Sequence, residues 1–517
     1  MTGGIIELVA KGNSDILLTE NPEITFFKIV YKRHTNFSIE SIKQKFSNKL
    51  NFGGKASCVL SRVGDLVGDI ALIAVLPKIP SYTNNNEGVD KFKKFAWVKK
   101  VGFSLIKKIY IDIGGQKIDE HYGDWMNIWY ELTGNKDRGF NKLIGNVKEL
   151  NDFTDTKDNY TLYIPIKFWF CGNCGLAIPI VNLQYSEIKV TVELNEEEST
   201  YITTPTHYIK TFDDICNFEQ FEYITQTIDG ITNIGIFVGY DIYEKKLYYT
   251  RISDTSFKGI PNPFNKNNNL IIDENTEKYK ITGSVSKFII NPDIKGNEII
   301  VSDFVGKLNL KDCYLLVDYI YLDGEERRKF ALSEHEYIID YIKLSVDKTV
   351  TSSFFSINLP INNPCSEIFW VFQLKYLNNN KFLSKQSQYF DQFNYTDSYE
   401  YINNNQVGSN NILKTKLLLN GNERFEERDG DYFNKTQSYQ NHRNSDFTGI
   451  NCYSFSLFPD DIQPSGTCNM SKIDQISMDF DVNTKISYTN NGLLRVYSKH
   501  KNILRISNGL GALVFVP

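Results

Sequence analysis

Two stretches that lie far apart in the chain run the same course. IYIDIGGQKIDEHYGDW, Ile109 to Trp125, and LLLNGNERFEERDGDY, Leu417 to Tyr432, each pass from apolar strand to tight turn, polar strand, acidic pair, Gly-Asp and an aromatic. In each, two strand-like runs flank a pair of turn residues, Gly114-Gly115 in one and Asn420-Gly421 in the other, because a two-residue hairpin needs positive φ at its centre. Repetition of one unit at this distance implies two similar domains. A length of 517 residues agrees, since it exceeds what one hydrophobic core usually serves.

The material between the repeats leans towards β structure. Phe and Tyr, 35 and 31 residues, greatly outnumber the 4 Met, and aromatic and β-branched side chains suit pleated surfaces. Strand-like segments recur at Ile24 to Tyr31, Leu66 to Leu76, Ile106 to Ile113, Glu187 to Leu194, Ile234 to Tyr243, Tyr314 to Leu322, Phe354 to Leu359, Ile368 to Leu374 and Leu493 to Tyr497. Two helices are expected. Asp124 to Leu132 places Trp125, Ile128, Trp129 and Leu132 at helical spacing, and Ser333 to Ile342 opens with a Ser-x-x-Glu capping box at Ser333 and Glu336. The domain boundary is expected within Glu196 to Asp214, where three glutamates give way to Thr, Pro and His without apolar periodicity. Asn-rich stretches at Asn84 to Asn86, Asn267 to Asn269, Asn378 to Asn380 and Asn403 to Asn405 read as loop tips, with more of them in the second half.

A formal net charge of -5 gives no global field that would attract phosphates, so a protein whose main task is coating nucleic acid is disfavoured. One local strip could act otherwise. Between Lys91 and Lys108, seven lysines interleave with Phe92, Phe95, Trp97 and Phe103, and aromatics among lysines can stack bases. A solvated strand face is the favoured reading, because the rest of the chain is acidic. The opening MTGGIIELVAKG lacks a basic leader, so export is not expected. The longest apolar run, Ile70 to Leu76, is far short of the roughly 18 residues that span a bilayer.

Catalytic patterns are weak. The six histidines, His34, His121, His207, His335, His442 and His500, never fall two or four residues apart, so neither a His-x-His pair nor a zinc-binding His-Glu-x-x-His helix exists. Nucleophile-elbow and phosphate-loop motifs are missing, and Gly509-Leu510-Gly511 reads as a turn before a final strand. Cys171-Gly172-Asn173-Cys174 could hold half a zinc or exchange thiols, but no second CxxC accompanies it and its flanks look like a strand entering a loop. The eight cysteines are scattered, as suits a reducing compartment. Acidic pairs at Glu325-Glu326, Glu426-Glu427 and Asp460-Asp461 read as solvated turn charges. No catalytic, cofactor-binding or metal-binding residue is therefore assigned, and no cofactor is expected.

Several blocks resemble the major capsid proteins of nucleocytoplasmic large DNA viruses. They are Leu18 to Ile42 with its Asn-Pro turn, Ile113 to Leu132, Phe168 to Val190, Leu315 to Ile339, Leu417 to Phe433, Tyr453 to Asp474 and the closing Ile503 to Phe515. Two departures stand out: Cys174, where a proline would be usual in the family, and the Asn-rich character of Asn262 to Val301. The resemblance implies an all-β protein of two tandem eight-stranded antiparallel jelly rolls with short helices and long loops, more of the insertion falling in the second domain. It implies residues 1–25 as an N-terminal arm, 26–200 as the first roll, 201–216 as a linker and 217–517 as the second roll.

The function it implies is structural and not enzymatic. The chain would be the subunit of an icosahedral shell, trimerising with itself into pseudo-hexagonal capsomers in the virion after assembly in the host cytoplasm. Its other partners would be minor capsid proteins and an inner membrane, with no direct nucleic-acid contact. The alternatives are a carbohydrate-binding attachment protein using exposed Tyr and Asn loops, and a capsid paralogue that forms only a scaffold.

Overall fold

The computed structural model describes residues 3–10, 12, 19–29, 31–81, 83–84, 88–89, 92–134, 139–219, 222–251, 256–258, 279–293, 299–300, 307–374, 391–397, 401–402, 405–406, 408–483, 486 and 491–515. Eight of the strands up to residue 322 build one sandwich: Phe37–Gln44, Lys55–Val59, Leu66–Leu76, Ile106–Ile113, Gln116–Tyr122, Tyr160–Pro165, Ile188–Leu194 and Asp312–Leu322. They form two antiparallel sheets. In one the order is first, eighth, third, sixth. In the other it is second, seventh, fourth, fifth.

The second half repeats this order with His335–Val350, Phe354–Asn358, Pro364–Leu374, Ile412–Leu419, Asn422–Asp429, Ile450–Ser454, Ile476–Val482 and Gly492–Ser507. Again the first, eighth, third and sixth strands share one sheet, and the second, seventh, fourth and fifth share the other. Two sheets in this order make a jelly roll, so the chain is a double jelly roll.

The repeated hairpin occupies the same place in both rolls, where it is the fourth and fifth strands. Its turns use the expected backbone, with φ of 59° and 84° at Gly114 and Gly115 and of 50° and 77° at Asn420 and Gly421. Each roll fills the space between its sheets with alternate side chains. Val67, Leu72, Ile109, Ile111, Val190 and Val192 do so in the first, and Trp370, Phe372, Leu417, Met478, Phe480 and Val496 in the second. Each such side chain contributes roughly 1.5–3 kcal/mol on leaving water.

Strand Asp312–Leu322 changes the domain map. It lies between Phe37–Gln44 and Leu66–Leu76, so the first roll is closed by a strand from well beyond residues 201–216. Those residues, expected as a linker, contain strands Tyr201–Thr204 and His207–Lys210. The second of these joins a seven-stranded sheet with Tyr223–Ile228, Ile231–Asp241, Lys246–Arg251 and three short strands. That sheet carries its own small core around Ile224, Phe237, Leu247, Tyr249 and Phe257. Residues 201–311 are thus an insertion between the seventh and eighth strands of the first roll. The Asn-rich 262–301 stretch belongs to this insertion. Composition marks a loop but not which strand the chain resumes afterwards.

Two local expectations change as well. Ser333 does not open a helix: a helix runs over Gly324–Leu332, Ser333 follows its end, and His335–Val350 is a strand paired along its whole length with Gly492–Ser507. A capping box supplies about 1 kcal/mol, which a long ladder of backbone pairs outweighs. The segment 24–31 forms no strand in its described residues, and Ile24, Phe26, Phe27, Ile29 and Tyr31 are exposed. Residues 267–269 and 378–380, expected as loop tips, lie outside the described residues.

Because the first roll needs its eighth strand, a chain ending at residue 216 is expected to lack a cooperative thermal transition. A chain ending at residue 332, which retains strand 312–322, should show one. Circular dichroism melts of the two fragments test this.

Candidate functional site

The densest set of aromatic and charged side chains lies where the two rolls meet. The first roll's fifth strand ends at Tyr122, and helix Gly123–Thr133 follows directly. A Cβ on Gly123 would collide with the carbonyl oxygens of Phe103 and Ile106, so the helix is pressed against the start of the fourth strand. From that position Trp125 and Trp129 cross onto the second roll. The Trp125 ring lies 5.1 Å from Phe369 and 5.6 Å from Tyr497, and Trp129 lies 6.4 Å from both Phe369 and His442. The ammonium of Lys499 stands 4.7 Å above the Trp129 ring. Phe369 and Tyr497 lie on the outer face of the second roll's first sheet, and contact with the first roll leaves them 0% and 1% exposed.

Polar groups fix the register of this contact. Asp124 pairs with Arg495 and accepts a hydrogen bond from the Tyr395 hydroxyl at 3.1 Å. Asp119 accepts the backbone N–H of Ile342 at 3.1 Å. The backbone N–H of Asn444 donates to Leu132 at 3.0 Å, and its side-chain amide donates to Gly134 at 2.7 Å. A cleft of about 450 Å³ opens beside the Asp124–Arg495 pair, lined also by Phe103, Lys108, Gln373 and Tyr497.

Behind Trp129 sits a buried charge cluster. His442 Nε2 is 3.1 Å from Glu367 and Nδ1 is 2.8 Å from Asp460. Burial alone would pull the imidazolium down, but the carboxylates of Glu367 and Asp460 outweigh it and push the group up to about 12. His442 is therefore a cation clamped between two anions. Asp460, expected as a solvated turn charge, is one of them. Its role was invisible in sequence because Glu367 and His442 come from distant segments.

Removing His442 leaves two carboxylates facing each other, one of them fully buried. His442→Ala is expected to cost about 3–5 kcal/mol in urea unfolding, as for a broken buried pair. The sign of the pH dependence follows from the raised folded value: the contribution is complete below about 6.5, the unfolded reference, and declines as pH rises towards 12.

The other sequence candidates are dispersed. Cys171 is pushed up to about 12 by burial, the reverse of what thiol exchange needs, and Cys174 is exposed on a short 3-10 turn. Among the described residues no group of three or more His, Cys, Asp or Glu is placed to hold a metal ion. In the lysine strip Phe95, Trp97 and Phe103 are core residues. Lys94 pairs with Asp155, Lys100 with Glu131, Lys107 with Glu193 and Lys108 with Glu120. Phe92 is stacked on Tyr248 at 4.7 Å, and Lys91 lies outside the described residues. Glu427 pairs with Lys414 on the surface.

Two further histidines are buried in the neutral form. Burial, helped by Arg251, holds His207 down at about 3, and burial, helped by Lys343, holds His500 down at about 4. Both folded values lie below the unfolded reference of about 6.5, so their stabilisation is present above that pH and is lost as pH falls towards 3–4. The melting temperature is expected to fall progressively below pH 6.5, and less steeply in a His207→Gln, His500→Gln double variant.

The arrangement holds two sandwiches together through packing and ion pairs. The family model described as "Major capsid protein N-terminus" matches residues 25–242, and the one described as "Large eukaryotic DNA virus major capsid protein" matches residues 326–512. The chain is 41% identical to probable capsid protein 4 of Acanthamoeba polyphaga mimivirus, over 100% of this chain and 99% of the relative. It is 30% identical to the major capsid protein of Phaeocystis pouchetii virus over the full length of both. Among solved structures, the Faustovirus major capsid protein superposes with a TM-score of 0.64 at 12% identity, covering 96% of this chain and 94% of that one. VP54 of PBCV-1 superposes with a TM-score of 0.60 at 24% identity, covering 95% and 100%. The chain belongs to the major capsid proteins of large eukaryotic DNA viruses, a structural component of the virion shell and not an enzyme.

Proposed function

We propose that this subunit assembles with itself as a homotrimer, six jelly rolls from three chains forming a pseudo-hexagonal capsomer of an icosahedral shell. The observation that carries this reading is that both rolls share one strand order and are locked side by side through helix 123–133. Two similar wedges held at one angle let a threefold assembly tile like a sixfold one. The functional units are a first roll of 37–322, interrupted by the 201–311 insertion, and a second roll of 335–507.

The N-terminal segment is the part directed to other partners, minor capsid proteins and an inner membrane. Helix Gly3–Val9 exposes Ile5, Ile6, Leu8 and Val9, and Phe26 and Phe27 are bare beyond it, apolar surface that an arm would bury on docking. Among the described residues no helix is long and apolar enough to cross a bilayer, so contact with a membrane would be peripheral. Assembly takes place in the host cytoplasm.

Light scattering on the purified chain is expected to give a stable species of about three times 59.6 kDa. A strict monomer that binds glycans would overturn the reading in favour of an attachment protein.

A further inference from the structure

Of the eight cysteines, Cys365 and Cys468 are the two that stand opposite each other in a strand ladder. Strand Pro364–Leu374 pairs antiparallel with the short strand Cys468–Asn469, and the register sets Cys365 against Cys468 and Pro364 against Asn469. Cys58, Cys313 and Cys452 instead face Val190, Ala74 and Phe369. Residues directly opposite in an antiparallel pair have Cα atoms roughly 4.5–5.5 Å apart and side chains on one face. That separation falls within the range of about 4.4–6.8 Å that a disulfide spans. The shared face is the second roll's core. The register of strand 364–374 shifts between Cys365 and Glu367, which turns Cys365 to the same side as Ile368, Trp370 and Phe372, and Cys468 packs against that core from its edge.

The pair also sits where the fold is lightly tied. The loop of residues 455–467 leaves strand 364–374 at Ser454, opposite Glu367, and returns to it at Cys468, opposite Cys365. Its return is held by two register pairs, and Pro364 in one of them has no N–H to give the ladder. Leu457, Phe458 and Ile462 in the loop are exposed, while Asp460 reaches back to His442. The two thiols are unequal. Cys365 is fully buried and donates to the carbonyl of Glu367 at 3.2 Å; burial pushes the thiol up, and the Glu367 carboxylate and Cys468 add to that. Cys468 is partly exposed, and although burial raises it as well, the Arg424 guanidinium opposes the rise. A partly exposed thiol beside a cation is the one that a reagent from solvent meets first.

We propose that Cys365 and Cys468 form a disulfide when the folded chain meets a low-molecular-weight disulfide of the glutathione class, a covalent clasp that closes the 455–467 loop on the second roll. The Cys468 thiolate attacks one sulfur of the oxidant, whose S–S bond breaks, and one thiolate leaves. Cys365 then attacks the Cys468 sulfur of the mixed disulfide, and the second thiolate leaves. Two protein thiols are oxidised by two electrons, the oxidant is reduced to two thiols, and the two cysteine protons end on them. In a reducing compartment the pair stays open; a shell that leaves a cell enters oxidising surroundings, where the clasp closes. The bond ties off a chain loop of roughly a hundred residues, and the freedom it removes from the unfolded state stabilises the folded one. The proposal stands on the second roll's own ladder and is independent of the trimer reading.

The test uses the full-length chain, purified under reducing conditions, equilibrated with oxidised glutathione and then alkylated. Peptide mass mapping is expected to show a Cys365–Cys468 crosslink and two fewer alkylated cysteines than the eight of the reduced chain. The thermal midpoint should rise by about 5–10 °C, and protease cleavage within 455–467 should slow, both reversing with a thiol reductant. Cys468→Ser, at the partly exposed position, should melt as the reduced wild type does and show neither change with oxidant. Cys365→Ala should hold glutathione on Cys468 without releasing it. A folded wild-type chain in which both thiols stay alkylatable, or in which Cys468 retains glutathione, overturns the proposal. So does a crosslink between other cysteines in place of this one, Cys171 with Cys174 included. A Cys365–Cys468 crosslink that leaves cleavage of the loop unchanged overturns the clasp.

Discussion

The molecule depends on one contact, the packing of helix 123–133 across the outer face of the second roll's first sheet. Trp125 meets Phe369 edge-on and Tyr497 at a tilt, Trp129 meets His442 edge-on, and full burial of a large apolar side chain contributes roughly 1.5–3 kcal/mol. A second contact lies at the end of the chain, where Ser186 accepts the backbone N–H of Gly511 and Gln116 that of Leu513. The ion pair of Asp124 with Arg495 and the backbone bond from Ile342 to Asp119 add direction, because apolar packing alone tolerates sliding. A shell subunit needs that direction, since angular error in one subunit is repeated around a closed assembly.

The buried cluster of Glu367, His442 and Asp460 sits beneath the same contact. A charged imidazole between two carboxylates is stabilising only while all three are present, so it links the second roll's third strand, its 432–441 helical region and the 455–465 loop into one unit. The rim of the seam is thus held by groups from three segments that no local motif unites. The insertion of 201–311 has its own sheet and small core. It interrupts the first roll without disturbing its closure, because strand 312–322 still pairs with both 37–44 and 66–76.

Much of this was legible beforehand. The repeated hairpin identified two like domains, and its turn residues, Gly114-Gly115 and Asn420-Gly421, marked the fourth and fifth strands of each, since positive φ is a local demand that leaves a local trace. Trp125, Ile128, Trp129 and Leu132 declared the seam helix through their spacing, though not what it would touch. The capping box at Ser333 misled because a short local signal competed with a long strand ladder. Segment 24–31 misled because apolar alternation says that a strand is possible, not that a neighbour is present to pair with it. The role of Asp460 had no trace at all, as a carboxylate in a turn looks the same whether or not a distant histidine meets it.

The amino-acid order by itself determined many of the strands, the tight turns, the two-domain plan and the absence of a recognisable reactive motif, because these follow from side-chain alternation, backbone φ and residue spacing within a few positions. Only the tertiary structure decided that strand 312–322 closes the first roll and that His442 is a clamped cation. Those outcomes depend on which segments meet in space, and chain order carries no direct record of contacts between residues hundreds of positions apart.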